Sequence, residues 1–166
     1  MEVSNNMAKI KGKTNAMRIL DQENISYKMQ TYNIRDGLID GVSVAKKVGE
    51  DPKYVFKTLV TQGHSGEFYV FVVPVEKELD LKKAAACVGE KRVDMIHVKD
   101  IMKHTGYVRG GCSPIGMKKA YPTVIDASAQ SIDHIVVSGG KKGVQMILSV
   151  PDLAKAVHAE LHPITR

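Results

Sequence analysis

One lysine lies in the middle of a largely apolar segment, "YVFKTLV", residues 54–60. Its β-branched and aromatic residues predict a strand, in which Lys57 shares one face with Val55 and Leu59. Because both faces are largely apolar, the ammonium group has few routes to water, and burying it without a partner is costly. Lys57 is therefore either a cation lining a pocket, ready for an anion or a carbonyl oxygen, or a surface lysine whose stem lies on apolar residues and whose head reaches water at an edge.

A glycine-rich segment, "GYVRGGCSPIG", occupies residues 106–116. The Gly110–Gly111 pair can adopt backbone angles that are closed to other residues. Such a turn can direct successive N–H groups into one concavity that suits an anion or an oxyanion. The alternative is a long connection that merely needs turn residues. Cys112 follows directly, but no histidine in the sequence is placed to activate it, so we interpret this cysteine as incidental.

The elements that must position these residues follow from periodicity and from capping signals. Helices are predicted at residues 14–25, 43–49, 78–89, 99–106 and 151–161. Strands are predicted at residues 27–34, 54–62, 68–75, 93–98, 122–128, 134–140 and 144–150. We expect the second and third strands to form one hairpin and the last two strands to form another. Because this order is not a regular βαβ alternation, it favours an α/β domain of the α+β type with a mixed, largely antiparallel sheet.

Composition limits the possible classes of protein. The 166 residues suffice for one domain, predicted at residues 14–166 after a loose extension at residues 1–13. No apolar run is long enough to span a membrane, and the polar start does not look like an export signal, so a cytoplasmic protein is expected. The two cysteines are too few for a disulfide framework, and no CxxC or HExxH spacing points to a metal. The net charge of +6 permits an RNA partner without requiring one.

The combination of these segments resembles the YbaK family of free-standing aminoacyl-tRNA deacylases, which are related to the editing domain of bacterial prolyl-tRNA synthetases. The resemblance runs from about Asn15 to about Leu161, nearly the whole chain. It rests on "VFKTLV", "LDLKKAA", "TGYVRGGCSPIGMKK", "PTVIDASAQ" and "VSGGKKG", which occur in the family's order. It implies a barrel-like sheet, one substrate cleft and hydrolysis of the ester that joins a wrong amino acid to tRNA. The YbaK branch removes cysteine from tRNA(Pro). Because cysteine is close in size to proline, a synthetase pocket cannot exclude it by binding alone, and a separate hydrolytic site corrects the error.

The resemblance also implies roles for individual residues. Lys57 matches the family's essential lysine, and the Gly110–Gly111 pair matches the glycines whose backbone holds the ester. The matching substrate-binding residues are Tyr32, Thr58, Ser138 and Gly139. The mechanism implied uses the substrate's own thiol to attack its ester carbonyl, with no metal and no cofactor.

Two positions depart from the family's pattern. Leu38 and Ile39 stand where an aromatic residue is frequent, and Gln145 stands where some members have aspartate. Both lie near the expected pocket, so amino-acid selectivity stays open. The alternatives are a deacylase for another mischarged tRNA, such as Ala-tRNA(Pro), and a non-catalytic module that binds tRNA or a synthetase. Mischarged tRNA(Pro) is the expected partner, with prolyl-tRNA synthetase as a second that would supply specificity; no membrane partner is expected.

Overall fold

The computed structural model describes residues 12–166, along which five α-helices and eight strands follow one another. The helices are α1 (Asn15–Gln22), α2 (Gly41–Val48), α3 (Leu81–Cys87), α4 (Ile101–Thr105) and α5 (Val150–Val157). The strands are β1 (Lys28–Thr31), β2 (Phe56–Gly63), β3 (Phe68–Pro74), β4 (Val93–Met95), β5 (Thr123–Asp126), β6 (His134–Ser138), β7 (Val144–Ser149) and β8 (Glu160–His162). Most of the predicted extension, residues 1–13, lies outside the described residues, so that boundary stays a prediction. Within residues 12–166 no helix is long and apolar enough to cross a bilayer.

The helix ends lie at residues that the sequence pattern singles out. Thr14 caps α1, where its hydroxyl accepts a backbone N–H of the first turn, and the Asp80 carboxylate caps α3 in the same way. Helices α2 and α4 end at Gly49 and Gly106, which adopt left-handed φ values of 73° and 84°. Local capping chemistry therefore fixes where these helices begin and end.

The strands form two sheets, with the orders β1-β7-β6 and β4-β2-β3-β5-β8. The pairings β3–β5 and β5–β8 are parallel and the other four are antiparallel, which confirms a mixed, largely antiparallel arrangement. The prediction of a barrel-like sheet is not supported. Between the two sheets, residues 12–166 contain one isolated bridge, Val55–Val136, whereas a barrel requires continuous ladders around its circumference.

The end of the chain differs from the predicted helix at residues 151–161. Helix α5 stops at Val157, and His158 takes a left-handed φ of 54°. The chain then turns into β8, which pairs in parallel with β5. The alternation of apolar and polar residues in this short segment is too weak to predict a strand. The segment becomes a strand because the open edge of β5 supplies hydrogen-bonding partners.

Three apolar clusters hold the elements together. The largest packs α1 and α5, through residues such as Leu20 and Leu153, against strands of both sheets. A second joins α3 to β3. The third is small and places Ala45 of α2 against Val55, Val75 and Val136. This third cluster fixes α2 and the start of β2 side by side, and so shapes the wall of the cleft that contains Lys57.

Candidate active site

Residues from both sheets line a cleft of about 400 Å³, here called the central cleft. Its lining consists of Tyr32, Ile39, Asp40, Gly41, Val42, Val44, Val55, Phe56, Lys57, Thr58, Leu59, Val75, Arg109, Gly110, Cys112, Ser138 and Gln145. Five of the seven residues predicted for the site are among them: Tyr32, Lys57, Thr58, Gly110 and Ser138. Gly111 and Gly139 are not part of the lining. The fold thus gathers into one concavity residues that are far apart in sequence.

Lys57 is carried into the cleft by β2, where it lies opposite Val73 of β3. Strand β2 pairs with β3 along Phe56–Gln62 but with β4 only at Thr61–Gly63, so β4 does not cover the strand at Lys57. The lysine is nevertheless half-buried and lines the cleft. Its ammonium group forms no hydrogen bond or ion pair with any residue in the described range 12–166. The lining carboxylate of Asp40 is engaged elsewhere, because it accepts the Ser43 N–H at 3.1 Å. Hydrogen bonds with the Ser43 side chain and with the Ser43 backbone lower the pKa of this carboxyl. This position favours the pocket interpretation of Lys57.

The two glycines of the glycine-rich segment have different surroundings. Gly110 has a left-handed φ of 83° and lines the cleft, where a Cβ would lie 2.9 Å from Ile39 Cδ1. Gly111 instead packs against the backbone of Lys141 and Lys142, and a Cβ there would lie 2.8 Å from Lys142 N. The Gly111 N–H donates to the Val108 carbonyl at 3.0 Å. The expectation that both N–H groups face a ligand therefore does not hold for Gly111, while no residue within 12–166 accepts the N–H of Gly110.

The turn after β6 is fixed by contacts with distant segments. The Ser138 hydroxyl accepts the Gly140 N–H at 3.2 Å, and the Gly139 carbonyl accepts the Thr14 hydroxyl at 2.7 Å. A Cβ on Gly140 would lie 3.0 Å from a ring carbon of Tyr107. Gly139 therefore supports the shape of the turn, and Ser138 is the residue of this pair that reaches the cleft.

Lys47 of α2 holds the loop between β1 and α2 at the mouth of the cleft. Its ammonium group donates to the carbonyls of Asn33 and Leu38 at 2.7 and 2.9 Å, and to the Asp36 carboxylate at 2.7 Å. It also lies 5.9 Å from the ring centroid of Tyr32. Of the two apolar residues at the unusual positions, Ile39 lines the cleft, whereas Leu38 does not and is 50% exposed. Lys47 thus ties together the loop that carries Ile39 and lies beside the ring of Tyr32.

Sequence reasoning missed Arg109 as a site residue. This exposed arginine lines the cleft beside Gly110, and the motif "VRGG" contains the signal, since a cation adjoins the flexible pair. Gln145 was noted only as a departure from a pattern, yet it lines the cleft and is 6% exposed. Gln145 lies on β7, the strand next to β6, and its proximity to the cleft can be recognised only in the assembled sheet.

Cys112 lines the cleft but is a poor nucleophile. Burial raises the pKa of its thiol to about 11, although a hydrogen bond with Thr105 acts in the opposite direction. The thiol is therefore protonated near neutral pH. Both cysteines are free thiols in the structure. Within residues 12–166 there is also no group of three or more His, Cys, Asp or Glu side chains that could hold a metal ion.

The geometry combines an unpaired cation, an available backbone N–H and a protonated thiol, an arrangement suited to binding a polarised carbonyl. A family model for the aminoacyl-tRNA editing domain matches residues 40–156, well over half of the chain. The chain belongs to the aminoacyl-tRNA editing domain family. It is thus an aminoacyl-tRNA deacylase, and the resemblance found in the sequence is confirmed.

Curated relatives agree with this family. EbsC of Enterococcus faecalis, provisionally named a Cys-tRNA(Pro)/Cys-tRNA(Cys) deacylase, is 42% identical over 157 residues, which are 95% of this chain and 96% of EbsC. The proline–tRNA ligase of Thermosipho melanesiensis is 28% identical over 104 residues. That match covers 63% of this chain but 18% of the ligase. The editing family therefore includes both a relative of the same length and a segment of a much longer synthetase.

Solved structures show the same fold. A crystal structure provisionally described as a trans-editing enzyme for prolyl tRNA synthetase superimposes with a TM-score of 0.80 at 21% identity, covering 94% of this chain and 99% of that chain. A second structure, a scaffold for epitope backbone grafting, has a TM-score of 0.79 at 22% identity and covers 92% of this chain. At these identities the likeness establishes the fold alone.

Proposed function

We propose that this deacylase removes cysteine from mischarged Cys-tRNA(Pro), with the thiol of the substrate as the nucleophile. The observation that carries the proposal is the chemistry of the cleft lining, which offers a cation and a backbone donor but no nucleophile paired with a base. None of the lining residues is a histidine. The Cys112 thiol is held protonated, and the Asp40 carboxylate caps a helix. A substrate that brings its own nucleophile suits such a site.

In the proposed reaction Lys57 and the Gly110 N–H stabilise the developing oxyanion. The substrate sulfur attacks the ester carbonyl, so that a carbon–sulfur bond forms and the carbon–oxygen bond to the ribose breaks. The thiol proton passes to the departing ribose oxygen, which releases the tRNA and a four-membered thiolactone. Water then opens the thiolactone to cysteine. Preorganised donors of this kind lower the barrier because they need no rearrangement as the charge develops.

The choice of tRNA(Pro) rests on the relatives. EbsC is named for Cys-tRNA(Pro) and Cys-tRNA(Cys), and this chain matches it over nearly its whole length. The match to proline–tRNA ligases links the same domain to the enzyme that makes the error. Since a synthetase pocket cannot exclude cysteine by binding alone, a separate hydrolytic site corrects the product. We place this enzyme in the cytoplasm, with prolyl-tRNA synthetase as the partner that supplies tRNA specificity.

The anionic end of the tRNA has a suitable surface beside the cleft, here called the basic ridge and made of Arg109, Lys141 and Lys142. The close packing of Gly111 on the backbone of residues 141 and 142 joins the two segments that carry these cations. All three side chains are exposed, and none forms an ion pair with a residue in the range 12–166. Phosphates of a single-stranded 3′ end would neutralise them.

The experiment that tests the proposal measures deacylation of Cys-tRNA(Pro), Ala-tRNA(Pro) and Pro-tRNA(Pro) by the purified protein. A fourth substrate carries S-methylcysteine, which has a similar shape but no free thiol. We expect rapid loss of cysteine, with the proline, alanine and S-methylcysteine esters largely spared. The uncatalysed hydrolysis of each ester in buffer is the baseline.

The opposite outcomes are equally informative. Equal rates for cysteine and S-methylcysteine would replace thiol attack by attack of water. Turnover of Ala-tRNA(Pro) with Cys-tRNA(Pro) untouched would assign a different mischarged substrate. Binding of tRNA without turnover of any of the esters would indicate a non-catalytic module.

A further inference from the structure

Four buried side-chain polar atoms in residues 12–166 have no hydrogen-bond partner: Gln30 Oε1, Tyr32 Oη, Thr58 Oγ1 and Gln145 Oε1. Tyr32, Thr58 and Gln145 line the central cleft, whereas Gln30 does not. Buried polar groups in folded proteins are nearly always hydrogen-bonded, because an unpaired one has lost its water without compensation. Three such atoms in one cleft indicate that a ligand supplies the missing hydrogen bonds.

Sheet register explains how these atoms come together. Gln145 lies on β7, the central strand of the three-stranded sheet, opposite Gln30 of β1 and Ser138 of β6. Directly opposed residues in antiparallel strands project from the same face, so these polar side chains form one row. Thr58 reaches the cleft from β2 of the other sheet. The cleft therefore has unpaired oxygens on both of its sheet walls.

The chemistry of these atoms limits the ligand group. The amide oxygen of Gln145 can only accept a hydrogen bond, and the hydroxyl oxygens of Tyr32 and Thr58 can also accept. A group with several N–H donors satisfies all three. On an aminoacyl ester that group is the α-amino group, which lies one carbon from the carbonyl that Lys57 faces in the proposed reaction. The cations Lys57 and Arg109 would repel it, so neutral oxygens are the suitable partners within this cleft.

We propose that Tyr32, Thr58 and Gln145 form a subsite for the free α-amino group, and that this subsite makes the enzyme reject N-acylated esters such as peptidyl-tRNA. The proposal rests on the proposed deacylase reaction. An acylated nitrogen keeps one N–H at most, carries no charge and is too bulky for the same position. The subsite thus spares chains that are already being elongated while it admits single amino acids.

The test compares Cys-tRNA(Pro) with N-acetyl-Cys-tRNA(Pro), each rate being divided by the uncatalysed rate of the same ester in buffer. We expect the wild-type protein to prefer the free amine at least 50-fold in kcat/KM. Gln145→Leu, which keeps the size and removes the acceptor, should reduce that preference at least tenfold while raising Tm, because it removes an unsatisfied buried oxygen. Gln145→Glu should increase the preference for the free amine, because it introduces a negative charge at the subsite.

Gln30→Leu is the matched control, since Gln30 also has an unpaired oxygen but does not line the cleft. It should raise Tm without changing the substrate preference. If Gln145→Leu does not fold, Thr58→Val removes another acceptor at constant shape and should reduce the preference in the same direction. A wild-type preference below twofold, or a preference unchanged in both variants, overturns the subsite. Absence of any turnover of Cys-tRNA(Pro) overturns the proposed function instead.

Discussion

Two concave regions of the molecule differ in how well their polar groups are satisfied. The groove around His134, lined by Asp21, Ile25, Ser26, Tyr27, Lys28, Glu50, Asp133, His134, Ile147, Leu148 and Ser149, has about 910 Å³, against about 400 Å³ for the central cleft. In the groove, His134 contacts Glu50 at 3.2 Å and Asp133 at 2.7 Å, and its ring stacks on Tyr54 with centroids 4.2 Å apart. In the cleft, Lys57 and three polar oxygens have no partner among residues 12–166. Unused hydrogen-bonding capacity, rather than size, distinguishes the proposed catalytic region.

The largest expected effect separates the two regions directly. Lys57→Met keeps the aliphatic stem and removes the cation that faces the ester in the proposed reaction, so kcat/KM for Cys-tRNA(Pro) should fall about 100- to 1000-fold, the range for losing one oxyanion donor. His134→Gln, in the groove, should change kcat/KM less than threefold. Steady-state deacylation assays measure both. A small effect of Lys57→Met beside a large effect of His134→Gln would reverse the assignment of the two regions.

The wall of the cleft depends on a close backbone contact, which a methyl group should break. Gly111→Ala places a Cβ 2.8 Å from Lys142 N, and backbone cannot move aside as a flexible side chain can. We expect the free energy of unfolding to drop by about 2 kcal/mol. Gly66→Ala is the control, because its left-handed φ of 94° strains the backbone but no atom lies within 4 Å of the added Cβ.

Gly66→Ala should cost only about 1 kcal/mol, the usual penalty of a left-handed alanine. Urea unfolding of the two variants gives both values. A smaller loss for Gly111→Ala than for Gly66→Ala would show that the two segments of the basic ridge can separate at little cost.

Charge removal should matter at the cleft and not at the groove. The double variant Arg109→Ala/Lys142→Ala should raise KM for tRNA about fivefold at low salt, and should reduce the slope of log KM against log salt by about 1 to 2, because fewer phosphates are neutralised. Lys28→Ala, which removes a cation from the groove, is the control. An equal rise in KM for Lys28→Ala would mean that the tRNA responds only to overall charge.

The smallest expected effect is the pH dependence of the stability that His134 contributes in the groove. Burial alone would lower the pKa of His134, but its hydrogen bonds with Glu50 and Asp133, together with their negative charges, raise that pKa above the usual value. The protonated histidine therefore stabilises the folded state fully below the unfolded-state pKa of about 6.5, and this stabilisation is lost as pH rises through the higher folded-state pKa.

Wild type should thus exceed His134→Gln in stability by about 0.5 kcal/mol at pH 6, as for a partly exposed ion pair, and the difference should shrink at alkaline pH. Thermal unfolding across that pH range measures it. A difference that grows with rising pH would contradict the raised pKa.

Local rules predicted most of the elements of this fold. Helix caps such as Thr14 and Asp80, and terminating glycines such as Gly49, act within one turn of chain, so the sequence identifies them. Pairing partners were harder to predict, because the parallel ladder that adds β8 to β5 joins residues far apart in sequence. For the same reason the prediction of a barrel failed. Closing a sheet into a barrel depends on long-range geometry, and the structure has two open sheets instead.

The sequence by itself determined that a lysine stands in an apolar strand, that a flexible glycine pair follows later in the chain, and that both occur in an editing-domain context. Only the tertiary structure decided which of these groups are free. It directs the Gly111 N–H to Val108, places Arg109 and Gln145 at the cleft, and leaves the Gln145 oxygen without a partner among residues 12–166. Whether a polar group is occupied depends on atoms contributed by distant segments, and those meet only when the sheets and loops have assembled.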